Sequence, residues 1–166
     1  MCSSDLGNMS RYKIDATELE ILPYQKLESP RNPEIYKAPL IIISEKVDSK
    51  GVFAAFSAED IVYTKSYSGI PIPKNLLHLA HYLNGVINSS IASYFIFMTA
   101  SSWGIERHKV MTQDLVRLPV PKPNEDNQEL IAQIIEIEGR LCKSPSKSVE
   151  KDLKKQLDKE IGRAHV

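Results

Sequence analysis

Little in this sequence supplies reactive chemistry. Of 166 residues only two are cysteine, Cys2 and Cys142, and Cys2 lies in a terminus that reads as foreign to the protein. One remaining thiol excludes an internal disulfide and makes a reducing compartment, the cytoplasm, the expected setting. Paired cysteines at zinc-ligand spacing are absent, as is a glycine-rich phosphate loop. Long apolar runs are absent too: the longest, residues 91–98, falls far short of the roughly 20 residues that a membrane-spanning helix needs. No membrane role is expected. Net charge is also missing, because 21 basic side chains balance 21 acidic ones. That balance argues against a strong autonomous binder of polyanions, since cation–phosphate contacts dominate nucleic-acid affinity. There is no internal repeat and no low-complexity segment, and ordinary apolar and charged fractions place the chain among globular proteins.

The termini have to be sorted before any fold reasoning. Ile161-Gly162-Arg163-Ala164-His165-Val166 can be encoded by ATC GGA AGA GCA CAC GTC, whose reverse complement reads Asp-Val-Cys-Ser-Ser-Asp. The chain begins Met1-Cys2-Ser3-Ser4-Asp5, and a GTG start codon puts Met where Val is due. The string resembles a sequencing adapter. Residues 1–6 and 161–166 are therefore expected to be adapter-derived. Residues 7–160 are then native: a domain over 7–123, incomplete at its N-terminal side, and an amphipathic helical hairpin over 124–160, truncated inside its second helix.

Between residues 12 and 72 short extended runs alternate with turn signals, which reads as β structure with irregular connections. Leu40-Ile41-Ile42-Ile43 is β-branched enough for a buried strand. Asp48-Ser49-Lys50-Gly51 is a turn, and residues 52–56 and 61–64 offer two further strands. After Pro71 and Pro73 the period changes: Leu76, Leu79, Ala80, Leu83, Val86 and Ile87 recur at helical spacing, and Ser89-Ser90 caps a second helix over 91–98. Thr112 caps a short turn through Val116, and Pro119, Pro121 and Pro123 close the domain. Asn124 then caps a helix with Leu130, Ile134, Ile137 and Leu141 on one stripe, widened by Ile131 and Ile135. Ser144-Pro145-Ser146 breaks it, and Val149, Leu153 and Leu157 mark a second amphipathic helix folding back on the first. The expected fold class is α+β: a small, irregular β-rich recognition domain supported by two helices and followed by a helical hairpin.

Candidate catalytic groups are few. His78 and His81 lie three apart on a predicted helix, a spacing that can place two imidazoles on one metal, but no carboxylate or cysteine stands near them in sequence, so no metal site is expected. Cys142 reads as a small buried hydrophobe, since no histidine is tied to it by any pattern. Asn32-Pro33 invites comparison with the Asn-Pro-Pro-Tyr motif of amino methyltransferases, but Glu34 and Ile35 replace the residues that complete it. A flipped adenine needs an aromatic ring to stack on and polar partners at its amino group, so no catalytic residue is expected.

The informative stretch begins at Leu83-Asn84-Gly85-Val86-Ile87-Asn88-Ser89-Ser90 and continues through Tyr94-Phe95, Ser101-Ser102-Trp103-Gly104-Ile105-Glu106-Arg107 and Leu118-Pro119-Val120-Pro121-Lys122-Pro123. It resembles the C-terminal target-recognition, or specificity, region of N-6 adenine-specific DNA methyltransferases and type IIG restriction–modification enzymes. Tyr36-Lys37-Ala38-Pro39-Leu40-Ile41-Ile42 resembles the start of that region. The resemblance implies sequence-specific binding of double-stranded DNA. It also implies a parent enzyme whose N-terminal methyltransferase domain, outside this chain, binds S-adenosylmethionine; no cofactor is expected on the chain itself. Physically, Arg107 can donate two hydrogen bonds to guanine and Glu106 can accept from cytosine, with Trp103 fixing their loop. Lys109, Arg117, Lys65 and Lys74 are assigned to phosphate contact. Phosphate contacts supplied by the parent would reconcile a neutral chain with DNA recognition. Two alternatives stay open: the specificity subunit of a type I restriction system, which also joins recognition domains to helices through a Pro-rich exit, and a protein-interaction module built on the hairpin.

Overall fold

The computed structural model describes residues 9–14, 32–48, 50–100, 109–143 and 146–165. The strand β2, Leu40–Ser44, is buried along its whole length, as an unbroken β-branched run requires. Ile41 and Ile43 enter one apolar cluster, Leu40 and Ile42 another, so the strand separates two cores. Among the described residues the sheet has four strands in the order β1-β3-β2-β4, with β1 at Tyr12–Lys13, β3 at Ala54–Ser57 and β4 at Tyr67–Pro71. β3 and β4 flank β2 antiparallel, placing Ala55 and Gly69 opposite Ile42, and β1 joins β3 in parallel.

Residues 61–64, expected as a strand, do not form a run of ladder pairs. Ile61, Val62 and Tyr63 are buried beneath the sheet, and the Ile61 amide donates to the Tyr36 carbonyl at 3.1 Å. Their burial, which the apolar run signals, is met by covering a sheet face. The Tyr36 and Tyr63 rings meet edge to face, 5.1 Å apart. The place next to β2 falls to Tyr67–Pro71, where Gly69 is required: a Cβ there would sit 2.0 Å from the Tyr63 hydroxyl oxygen. The turn expected at residues 48–51 forms, with Asp48 and Gly51 exchanging backbone hydrogen bonds of 3.2 and 3.0 Å. Gly51 has φ +99°, a conformation that L side chains rarely adopt.

Helices cover the opposite face: α1 Leu77–Ile87, α2 Ser90–Thr99, α3 Thr112–Val116, α4 Gln128–Lys143 and α5 Lys147–Ala164. The fold is α+β with a C-terminal helical hairpin, α4 and α5. α4 lies against both α1 and α5, and α5 also touches α2. The α4 stripe buries Ile131, Ile134, Ile137 and Leu141, so Ile131 belongs to its centre while Leu130 lies at its margin. Asn124 does not cap α4 directly; it exchanges hydrogen bonds with Asn127 in the turn before the helix. Thr112 is the first residue of α3, whose start is held instead by the Asp114 carboxylate accepting from the Met111 amide at 3.0 Å.

On α5 the buried residues are Leu153, Leu157 and Ile161, the next members of a four-residue repeat. The helix runs four residues beyond Glu160, Ile161 is fully buried, and His165 Nε2 lies 2.9 Å from the Pro119 carbonyl oxygen. Residues 161–165 therefore pack against the rest of the fold. None of the helices among the described residues is long and apolar enough to cross a membrane.

Candidate functional site

Asn88, Ser89 and Ser90 tie three separate elements to one point. The Asn88 carboxamide pairs with both backbone groups of Ala54 on β3, accepting from its amide at 3.0 Å and donating to its carbonyl at 2.9 Å. Ser89 Oγ accepts from the Ala92 amide at 3.0 Å and so caps α2, as serine does at helix starts. Ser90 donates from its amide and hydroxyl to the Asp158 carboxylate on α5, at 2.8 and 2.6 Å. Sequence patterning identifies the cap; only the structure shows the other two attachments, because Ala54 and Asp158 carry no signal of their partners.

One helical turn earlier, a second polar group lies between α1 and α4. Glu138 is fully buried, and its carboxylate meets His81 Nδ1 at 2.6 Å through Oε2 and Asn84 Nδ2 at 2.5 Å through Oε1. Cys142 Sγ donates to the same Oε1 at 3.0 Å and lies 3.2 Å from the Tyr12 carbonyl. Tyr12 turns this carbonyl inward with φ +72°, a strained conformation for a bulky residue. The Glu138 hydrogen bond and charge raise the His81 pKa against the opposing effects of burial and Lys143. Burial, followed by the Glu138 charge, pushes the Cys142 thiol up, so the free thiol is not an activated nucleophile. Cys142 packs against the core while also entering a polar contact set, and His78 is exposed and apart from it; the contact His81 makes is with Glu138, fifty-seven residues away.

Of the residues expected at DNA, Trp103, Glu106 and Arg107 lie outside the described residues. The segment that follows them is anchored: Lys109 bridges Lys46, and the Val110 amide donates to the Glu45 carbonyl at 2.9 Å. Glu45 in turn donates its amide to the Ser66 carbonyl at 3.0 Å, and Lys65, the residue before Ser66, is exposed. The Lys109 ammonium is 3.9 Å from the Glu45 carboxylate, leaving part of its charge compensated. Lys74 is exposed at the far end of β4, beyond Pro71, and Arg117 is exposed at the C-terminal end of α3. Lys65 and Lys109 thus each precede a residue bonded to the Glu45 backbone. The Lys-rich pattern of residues 143–159, which reads in sequence as a solvated helix face interleaved with acids, supplies most of a denser set of cations. Lys50, Lys147, Lys151, Lys154 and Lys155 line one groove with Glu150 and Asp158, and burial together with the Arg11 charge lowers the Lys154 pKa. Four of these lysines sit on one α5 face, but Lys50 arrives from the β2–β3 turn, which no helical pattern signals.

No protein-family model matches this chain, and no curated protein matches it either.

Proposed function

We propose that this chain is the sequence-reading part of an adenine-specific DNA methyltransferase of a restriction–modification or related defence system, acting in the cytoplasm. Methyl transfer and S-adenosylmethionine belong to a domain outside the chain. The observation that carries the reading is the way the Asn88-Ser89-Ser90 element is used. It fastens the sheet and the hairpin together at the start of α2, the helix that precedes residues 101–108 in the sequence. A base-reading loop needs such a base, because direct readout depends on placing two or three donors and acceptors against a groove edge. In this reading Arg107 reads guanine, Glu106 reads its paired cytosine, and Lys65 and Lys109 serve as phosphate contacts.

The test uses the parent gene with methylated positions mapped across a genome. Arg107→Ala is expected to relax the recognised sequence at one position, whereas Lys65→Ala is expected to lower methylation with the sequence unchanged. An Arg107→Ala protein that folds and keeps both the sequence and the level of methylation would remove the reading.

A second reading has its own observation. Tyr94 and Met98 on α2 are exposed by 67% and 62%, with Phe97 also largely exposed, and large aromatic and methionine side chains clustered on a surface suit a protein partner. That surface fits a protein-interaction module, or the docking face for the rest of the parent. The type I specificity subunit is distinguished from both by a second recognition domain in the same gene.

A further inference from the structure

His81 Nδ1, a Glu138 carboxylate oxygen and Cys142 Sγ all lie within 4.8 Å of one another. Two of the donors come from successive turns of α4 and one from α1, so the group is set by helix packing. A neutral imidazole, a thiolate and a carboxylate together make a borderline-soft donor set, which favours zinc-class cations over magnesium or calcium. The surrounding contacts are those a metal site uses. Asn84 Nδ2 holds one carboxylate oxygen at 2.5 Å, and such outer hydrogen bonds fix the orientation of ligating groups. The Glu138 side chain is fully buried while that of His81 is 30% exposed, so the group is closed toward the core and open to water on the His81 side.

We propose that His81, Glu138 and Cys142 form a binding site for a thiophilic divalent cation of the zinc class, with a water molecule in the fourth position. Metal–ligand bonds of about 2.0–2.3 Å in a tetrahedron set the donors about 3.3–3.6 Å apart. The present 2.6 Å and 3.0 Å contacts to Glu138 are shorter than that spacing, so binding moves the partly exposed His81 and Cys142 away from the carboxylate that Asn84 holds. Binding breaks the S–H bond of Cys142, and the Nδ1–H bond of His81 where that nitrogen carries a proton; the protons leave to solvent. One dication then faces one thiolate and one carboxylate, so no net charge is left buried.

The experiment uses the full chain carrying Cys2→Ser, so that Cys142 is its only thiol, stripped of metal and titrated with Co²⁺. The expected result is a sulfur-to-cobalt charge-transfer band with the visible absorption of a tetrahedral ion, saturating at one equivalent and erased by one equivalent of Zn²⁺. Cys142→Ser should abolish the charge-transfer band. His81→Gln should weaken cobalt binding by at least about ten-fold, and His78→Gln should leave it unchanged. Absence of the band in the folded Cys2→Ser chain overturns the proposal without recourse to any further variant. So does a band whose affinity is indifferent to both His81→Gln and Glu138→Gln.

Discussion

Single side chains carry unusual weight where the helices meet the sheet. Asn88 is fully buried and saturates the amide and carbonyl of Ala54, so Asn88→Ala leaves two backbone groups without partners in a dry interior. At about 1–3 kcal/mol for each abandoned group, the variant is expected to lose about 2–6 kcal/mol of stability in urea unfolding. Asn88→Asp keeps the acceptor but sets a carboxylate oxygen against the Ala54 and Asn84 carbonyls, so it should not rescue the loss. His81 gives a pH signature. Its folded pKa is raised, chiefly by the hydrogen bond to Glu138, above the unfolded value of about 6.5. The stabilisation is therefore complete below about pH 6.5 and is lost as pH rises through the folded value. In metal-free buffer the urea midpoint should fall across that window, and His81→Gln should flatten this part of the profile while His78→Gln does not. Glu138, Cys142 and Lys143 on α4 and the Phe56 ring on β3 surround the imidazole. A midpoint that stays level through neutrality in the native chain would remove His81 from this role.

At the level of elements, the α4 stripe makes a sharp comparison. Ile134 is fully buried and the adjacent Gln133 is exposed. Ile134→Asp is expected to cost several kcal/mol, because it buries a carboxylate without a partner, while Gln133→Asp should change stability by less than about 0.5 kcal/mol. Equal effects in thermal melts would mean that the stripe had been assigned to the wrong face. The helices were readable because each repeats its apolar residues with the period of the element that buries them. Strand β4 was not: Tyr67–Pro71 contains a glycine and ends on a proline, and its place is fixed by β2 and by the Tyr63 ring filling the space above Gly69. β1 is only two residues long, too short to show any period. The His81, Glu138 and Cys142 group was hidden for a related reason. Glu138 and Cys142 are one turn apart, a spacing that sequence shows, but α1 supplies the third member through packing alone. Among the residues assigned to phosphate, exposure at Lys65, Lys74 and Arg117 was legible from charge; which of them share a surface was not.

For the molecule as a whole, the end of α5 is part of the core. Ile161 is fully buried in the same cluster as Leu157, Ile134 and Val86. Removing residues 161–166 exposes its neighbours and deletes the His165 contacts to Ile161 and Pro119. At about 1.5–3 kcal/mol for a fully buried isoleucine, the shortened chain is expected to melt several degrees below the full one. Identical melting curves would show that Ile161 contributes nothing net, whatever the codons that encode it.

The fastening at Asn88, Ser89 and Ser90 has a consequence for how the chain opens. A sheet and a helical hairpin that met across a slippery apolar surface could separate in stages, and their amides would then exchange with solvent deuterium at different rates. Here the Ala54 amide on the sheet and the Ala92 amide at the start of α2 are both held by side chains of neighbouring residues, and Ser90 couples the same point to α5. Neither amide can be released without disturbing the turn that holds the other. Native-state exchange should therefore find Ala54 and Ala92 opening with the same free energy and the same denaturant dependence, as members of one cooperative unit. Asp158→Ala, which cuts only the α5 attachment, should lower the protection of both amides together.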